Sequence, residues 1–90
     1  MANVNMELST LEIRILLKCD KKLLSRTDIS QLYKKFTKTY RDAAIKTLLN
    51  HDLIEAIEKP KEGASKTPVF YKITPKGKEW IERYNKNYPA

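Results

Sequence analysis

The sequence predicts one mostly helical α+β domain, ordered helix, short strand, helix, helix, strand, strand, helix. Three observations carry this prediction. Apolar residues recur at helical spacing in separate stretches, a run with two isoleucines and a β-branched, aromatic run flank a segment with two prolines and a glycine, and a Thr-Pro pair opens a last helical stretch. With 90 residues the chain has enough for one core and too few for two.

Residues 1–8 read as a polar lead, 9–84 as the core of the domain and 85–90 as a tail. Ser9 or Thr10 can cap a first helix from about Leu11. In it Leu11, Ile15, Leu16 and Cys19 share one side, and Ile13 and Leu17 lie on the other. A helix apolar on two sides is covered on two sides. Leu23-Leu24 forms a short extended connector. Ser25 and Asp28, three residues apart, offer a capping box for a second helix. Its stripe is Ile29, Leu32, Tyr33 and Phe36, so it is expected to end near Phe36. Thr37-Lys38-Thr39 is a tight polar turn, and Thr39 with Asp42 offers a second box. The third helix buries Ala44, Ile45, Leu48 and Leu49, turns Ala43, Lys46, Thr47 and Asn50 outward, and stops around His51-Asp52.

Residues 53–58 suit a strand with Leu53 and Ile57 toward the core. Lys59 to Pro68 is a loop, and Val69 to Ile73 a second strand. Either Tyr71 or Phe70 faces the core, because strand neighbours alternate. Thr74-Pro75 caps a helix from about Lys76 to Asn87.

Eighteen Lys and Arg against eleven Asp and Glu give a net charge of +7, which points to polyanionic partners: DNA, RNA or an acidic membrane surface. The charge is uneven. Residues 34–46 carry five basic residues against Asp42, or +4. Residues 59–78 carry six against Glu62, or +5. The remainder is therefore slightly acidic, unlike a uniformly solvated lysine surface. A membrane role is disfavoured, because the basic residues do not share one helix with a free apolar face.

One cysteine excludes an internal disulfide, and one histidine excludes a His-pair or His–Cys metal motif. Neither a nucleophile–base pair nor a glycine-rich phosphate loop is visible, so binding rather than catalysis is expected, without a cofactor. There is no apolar run of about 18 residues. Met1 to Leu8 lacks the basic-then-apolar pattern of a signal peptide, so a cytoplasmic location is expected.

Two helices joined by a short turn, the second presenting small and polar residues outward, followed by a basic hairpin, make a winged helix-turn-helix. Leu53-Ile54 and then Tyr71-Lys72-Ile73-Thr74-Pro75-Lys76-Gly77 resemble winged helix-turn-helix regulators of the MarR and PadR kind, over about residues 9–84. Asp52 stands where those proteins commonly have glycine, and Arg41 where an apolar residue is usual.

The resemblance implies a dimeric transcriptional regulator of double-stranded DNA, most simply a repressor. Its third helix would enter the major groove, where base edges carry a unique donor and acceptor code. The residues it assigns to DNA are Thr39, Tyr40, Arg41, Ala43, Lys46, Thr47 and Asn50 on that helix, and Lys34, Lys35, Thr37 and Lys38 before or at its start. Lys59, Lys61, Lys66 and Lys72 on the wing complete the set. Tyr40 can stack on a sugar or pack on helix 2. Tyr33, Phe36 and Cys19 read as core, and His51 as a helix C-terminal cation.

Trp80, Tyr84 and Tyr88 recur every fourth residue. This stripe either packs on helix 1 of its own chain or, with Ile13 and Leu17, forms a homodimer interface; the dimer is the favoured expectation. A protein-interaction module and a nonspecific architectural DNA binder are the alternatives. The high Lys, Ile and Tyr content resembles that of thermophilic archaea and their viruses.

Overall fold

The computed structural model describes residues 8–59, 62–63 and 67–87, with Asn87 described by its backbone only. The elements are α1 (Thr10–Lys21), β1 (Leu24–Ser25), α2 (Arg26–Leu32), α3 (Lys38–Asn50), β2 (Ile54–Glu58), β3 (Val69–Ile73) and α4 (Pro75–Asn87). The strands form one antiparallel sheet in the order β1-β3-β2. Helix α1 packs against α3, β3 and α4.

Local chemistry sets the helix starts. Ser9 caps α1 through a complete box: its hydroxyl accepts from the Glu12 amide, and the Glu12 carboxylate accepts from the Ser9 amide. Ser25 and Asp28 repeat the arrangement at α2, as expected, at 3.0 Å in both directions. Bonding to the Ser25 amide holds the Asp28 carboxyl below its usual range.

The expected box at Thr39 is not formed. Thr37 caps α3 instead, its hydroxyl accepting from the Tyr40 amide at 3.1 Å, so Thr39 and Asp42 lie inside the helix. Helix α2 also ends four residues early. Its apolar stripe runs on to Phe36, but the chain leaves the helix at Tyr33, which caps the end. Leu32 is consequently exposed rather than buried, while Tyr33 and Phe36 pack against the core from the turn.

Eight side chains are less than 2% exposed: Leu11, Ile15, Leu16, Leu24, Ile29, Leu48, Leu53 and Ile54. Fully burying such a side chain stabilises by about 1.5–3 kcal/mol. These eight come from α1, β1, α2, α3, the α3–β2 turn and the start of β2, so the core joins every early element. Cys19 is among the buried residues, and burial pushes its thiol up to about 12. A thiol so held is not a reactive thiolate at neutral pH.

The strand expectation shifts by one residue. Asp52 takes a left-handed conformation, φ 63°, and its amide donates to the Leu49 carbonyl. Leu53 is thus used in the turn, its amide bonded to Leu48, and alternation starts at Ile54. Leu53 and Ile54 are both buried, and Ile57 is only half-buried on the outer face opposite Phe70. Tyr71, not Phe70, faces the core.

The start of α4 explains the Thr-x-x-Gly spacing. The Thr74 hydroxyl accepts from the Gly77 amide at 2.9 Å and donates to the Asp52 carbonyl at 2.6 Å. A Cβ on Gly77 would stand 2.2 Å from the Leu53 carbonyl oxygen. The close approach of α4 to the end of the α3–β2 turn therefore requires glycine. Among the described residues, no helix is long and apolar enough to cross a membrane.

Candidate nucleic-acid interface

The outward face of α3 is polar and open. Lys38, Thr39, Tyr40, Ala43, Lys46 and Asn50 are exposed, and Thr47 is half-buried, while Ala44, Ile45 and Leu48 point into the core. This phase follows from 3.6 residues per turn. Lys34, Lys35 and Thr37, on the turn before α3, are exposed as well. Tyr40 is 45% exposed and still touches Phe36, ring centroids 5.4 Å apart. It thus leans on the turn after α2 while keeping half its surface open.

Arg41 behaves differently from its neighbours. It is half-buried, and its Nη1 donates to the carbonyls of Tyr33 (3.3 Å) and Phe36. Its Nη2 donates to the Ser30 hydroxyl at 3.3 Å. The guanidinium thus takes up carbonyls of the turn that follows α2, adding to the bond that the Tyr33 carbonyl already accepts from the Phe36 amide.

Asp42 is the acidic centre of this basic segment. Its two oxygens accept from Lys38 Nζ at 3.0 Å and Arg26 Nη2 at 3.5 Å. The Lys38 hydrogen bond holds its carboxyl below the usual range. Both partners are well exposed, so the pairs orient side chains more than they stabilise the fold. Arg26, Ser30, Gln31, Lys38, Arg41 and Asp42 line an open groove of about 340 Å³ between α2 and α3. Sequence reasoning does not single out Arg26. It lies 16 residues from Asp42, and only the fold brings them together.

The hairpin of β2 and β3 carries Lys59 and Lys72 exposed, with the Lys59 amide bonded to the Pro68 carbonyl at 3.1 Å. Lys72 faces Glu55 across the strands. Lys61 and Lys66 lie outside the described residues.

On α4, Trp80 and Tyr84 stack with ring centroids 5.3 Å apart and an interplanar angle of 13°. Trp80 and Leu17 are half-buried against the chain's own core, so part of this stripe is used within the monomer. Ile13 and Tyr84 are half-buried too. Tyr88 lies outside the described residues. Among the described residues, no group of three or more His, Cys, Asp or Glu side chains is placed to hold a metal ion.

No family model and no curated protein matches the chain. Solved structures do. A PadR family transcription regulator from Clostridium difficile superposes with a TM-score of 0.74 at 19% identity, over 89% of this chain and 88% of that one. The transcriptional regulator BldR from Sulfolobus solfataricus gives 0.72 at 28% identity, over 90% of this chain and 55% of that one. A protein of Porphyromonas gingivalis assigned to the MarR family gives 0.70 at 14% identity, over 87% and 74%. The fold is therefore the winged helix that PadR and MarR family transcription regulators share, and β2–β3 is its wing.

Proposed function

We propose that the protein is a double-stranded DNA-binding transcriptional regulator, acting as a homodimeric repressor. Helix α3 enters the major groove and the basic wing lies along the phosphate backbone. One observation carries this reading: residues 34–46, the turn before α3 and most of that helix, hold five basic residues against Asp42, on the element that a winged helix turns toward DNA. The β2–β3 segment is nearly balanced, with Lys59, Lys61, Lys66 and Lys72 against Glu55, Glu58 and Glu62, because Lys76 and Lys78 belong to α4. The exposed Lys38, Thr39, Tyr40, Ala43, Lys46 and Asn50 support it, since an α-helix with small and polar side chains fits the groove. So do the fold neighbours, which are transcription regulators. Lys34, Lys35, Lys59 and Lys72, with Lys61 and Lys66, supply sequence-independent phosphate attraction, and Lys46 with Asn50 the base contacts. Dimerisation draws on Ile13, Leu17, Trp80, Tyr84 and Tyr88, and sets two half-sites about 34 Å apart or a multiple of that.

The test is fluorescence anisotropy on a random duplex and on a duplex selected from a random pool, across several salt concentrations. The reading expects the selected site to bind about 10³-fold tighter than random DNA. Tight but sequence-blind binding that collapses with salt points to an architectural protein. No binding at low salt points to a protein partner for the aromatic stripe.

A further inference from the structure

We propose that Arg41 is a positioning residue, which shapes DNA recognition through the turn between α2 and α3 and does not itself contact phosphate. This rests on the DNA-binding reading above and assigns Arg41 a task different from that of the lysines around it.

Three donor contacts fix the side chain. Nη1 bonds the Tyr33 and Phe36 carbonyls, three residues apart, and Nη2 bonds the Ser30 hydroxyl on α2. The turn has few other hydrogen bonds, the Tyr33 amide to the Ile29 carbonyl and the Phe36 amide to the Tyr33 carbonyl, both at 3.0 Å, beside the packing of the Tyr33 and Phe36 rings. One planar group therefore joins α2, the turn and α3. The adjacent Asp42 leaves it there, because the Asp42 oxygens accept from Lys38 and Arg26. Tyr40 before it is exposed, and Arg41 and Asp42 are both half-buried; what sets Arg41 apart is that its donors turn back to the chain between α2 and α3.

Lysine cannot replace it. An ammonium is a compact point donor on a flexible stem, whereas the guanidinium fork spans separated acceptors. If the turn loosens, the angle between α2 and α3 becomes variable. Base readout depends on that angle, because side chains must meet base edges in fixed geometry. Attraction to phosphates depends on it far less.

The experiment compares the full-length wild type with Arg41→Lys and Arg41→Met on selected and random duplexes over a salt series. Amide hydrogen exchange of residues 33–40 is followed in parallel without DNA. All three proteins are assayed below their measured melting temperatures. The expected result is that both variants lose about tenfold or more on the selected duplex and less than about threefold on random DNA, with wild-type salt slopes. The Phe36 amide exchanges at least about tenfold faster in both. Two results overturn the assignment. One is Arg41→Lys binding like the wild type while Arg41→Met loses equally on both duplexes, with a slope lower by about 0.9, the signature of one lost phosphate contact. The other is unchanged exchange at Phe36. A wild type that binds neither duplex overturns the DNA reading and this assignment with it. A wild type that binds, with either of the two results above, overturns the Arg41 assignment alone.

Discussion

Two corners of this molecule solve the same problem by opposite means. At the α2–α3 corner a long charged side chain, Arg41, reaches over a turn and takes its carbonyls. At the corner where the α3–β2 turn meets α4, small residues let backbone approach backbone. Thr74, only 7% exposed, bridges the Asp52 carbonyl and the Gly77 amide, and Gly77 leaves no room for a Cβ. The first corner is open to solvent along a groove, and the second is buried. The difference teaches where rigidity comes from. The buried corner is held by two hydrogen bonds of Thr74 and by packing that tolerates no added atom. An open corner beside a binding face is held by hydrogen bonds that water can contest.

The comparison breaks most violently at Gly77. Gly77→Ala puts a methyl 2.2 Å from the Leu53 carbonyl oxygen and 2.7 Å from Ile73 Cγ1. Alanine gains about 1 kcal/mol of helix propensity, but the clash is with backbone and outweighs it. We expect a net loss of about 3 kcal/mol. Thermal melting should record this as a drop of about 12–24 °C. A melting temperature within about 3 °C of wild type would mean that α4 can shift away at little cost.

Thr74→Val keeps the shape and removes the hydroxyl. It leaves the Gly77 amide and the Asp52 carbonyl without that partner, at a cost of about 1–3 kcal/mol. Urea titration should show a lower midpoint at an unchanged slope. Asp52→Gly should act in the opposite direction, because φ 63° strains any residue with a Cβ. A gain of up to about 1 kcal/mol is expected; a loss would mean that the Asp52 side chain supports the turn.

The smallest effect separates the corners by pH. Asp28 at the start of α2 and Asp42 on α3 both have carboxyls held below the usual carboxylate range, through the Ser25 amide and the Lys38 ammonium respectively. A depressed native pKa contributes stability that is full above the ordinary carboxylate value and is lost as pH falls through the native one. Between about pH 5 and about pH 2, the wild type should lose melting temperature more steeply than the Asp28→Asn, Asp42→Asn double variant. Parallel curves would show that neither carboxylate is linked to folding.

Much of the fold is legible in the sequence where the controlling interactions are local. The Ser25–Asp28 box acts over three residues, and the sequence prints both partners; at α1 the sequence leaves Ser9 and Thr10 open, and Ser9 takes the role with Glu12. The buried stripes of α1 and α3 follow helical period. Legibility fails where a distant group decides. Thr37 and Thr39 are both plausible caps; Thr37 takes the role, and Asp42, the partner expected for Thr39, is bonded to Lys38 and Arg26 instead. Leu32 continues a helical stripe, yet α2 stops there and leaves it 48% exposed. Ile54 displaces Ile57 from the core because the left-handed Asp52 consumes one residue before the strand begins. In the candidate site, helix phase is enough to name the outward face of α3. The inward turn of Arg41 has one sign in the sequence, that the regulators it resembles usually have an apolar residue there, but its acceptors are not legible, because they are carbonyls five and eight residues back.

The central claim is that the outward face of α3 reads bases. It is tested most directly by Lys46→Ala with Asn50→Ala, measured by anisotropy on the selected and the random duplex at one salt concentration. A loss of about 1–3 kcal/mol on the selected site is expected, with a clearly smaller loss on random DNA. An equal loss on both duplexes would contradict it, and would make these residues backbone contacts.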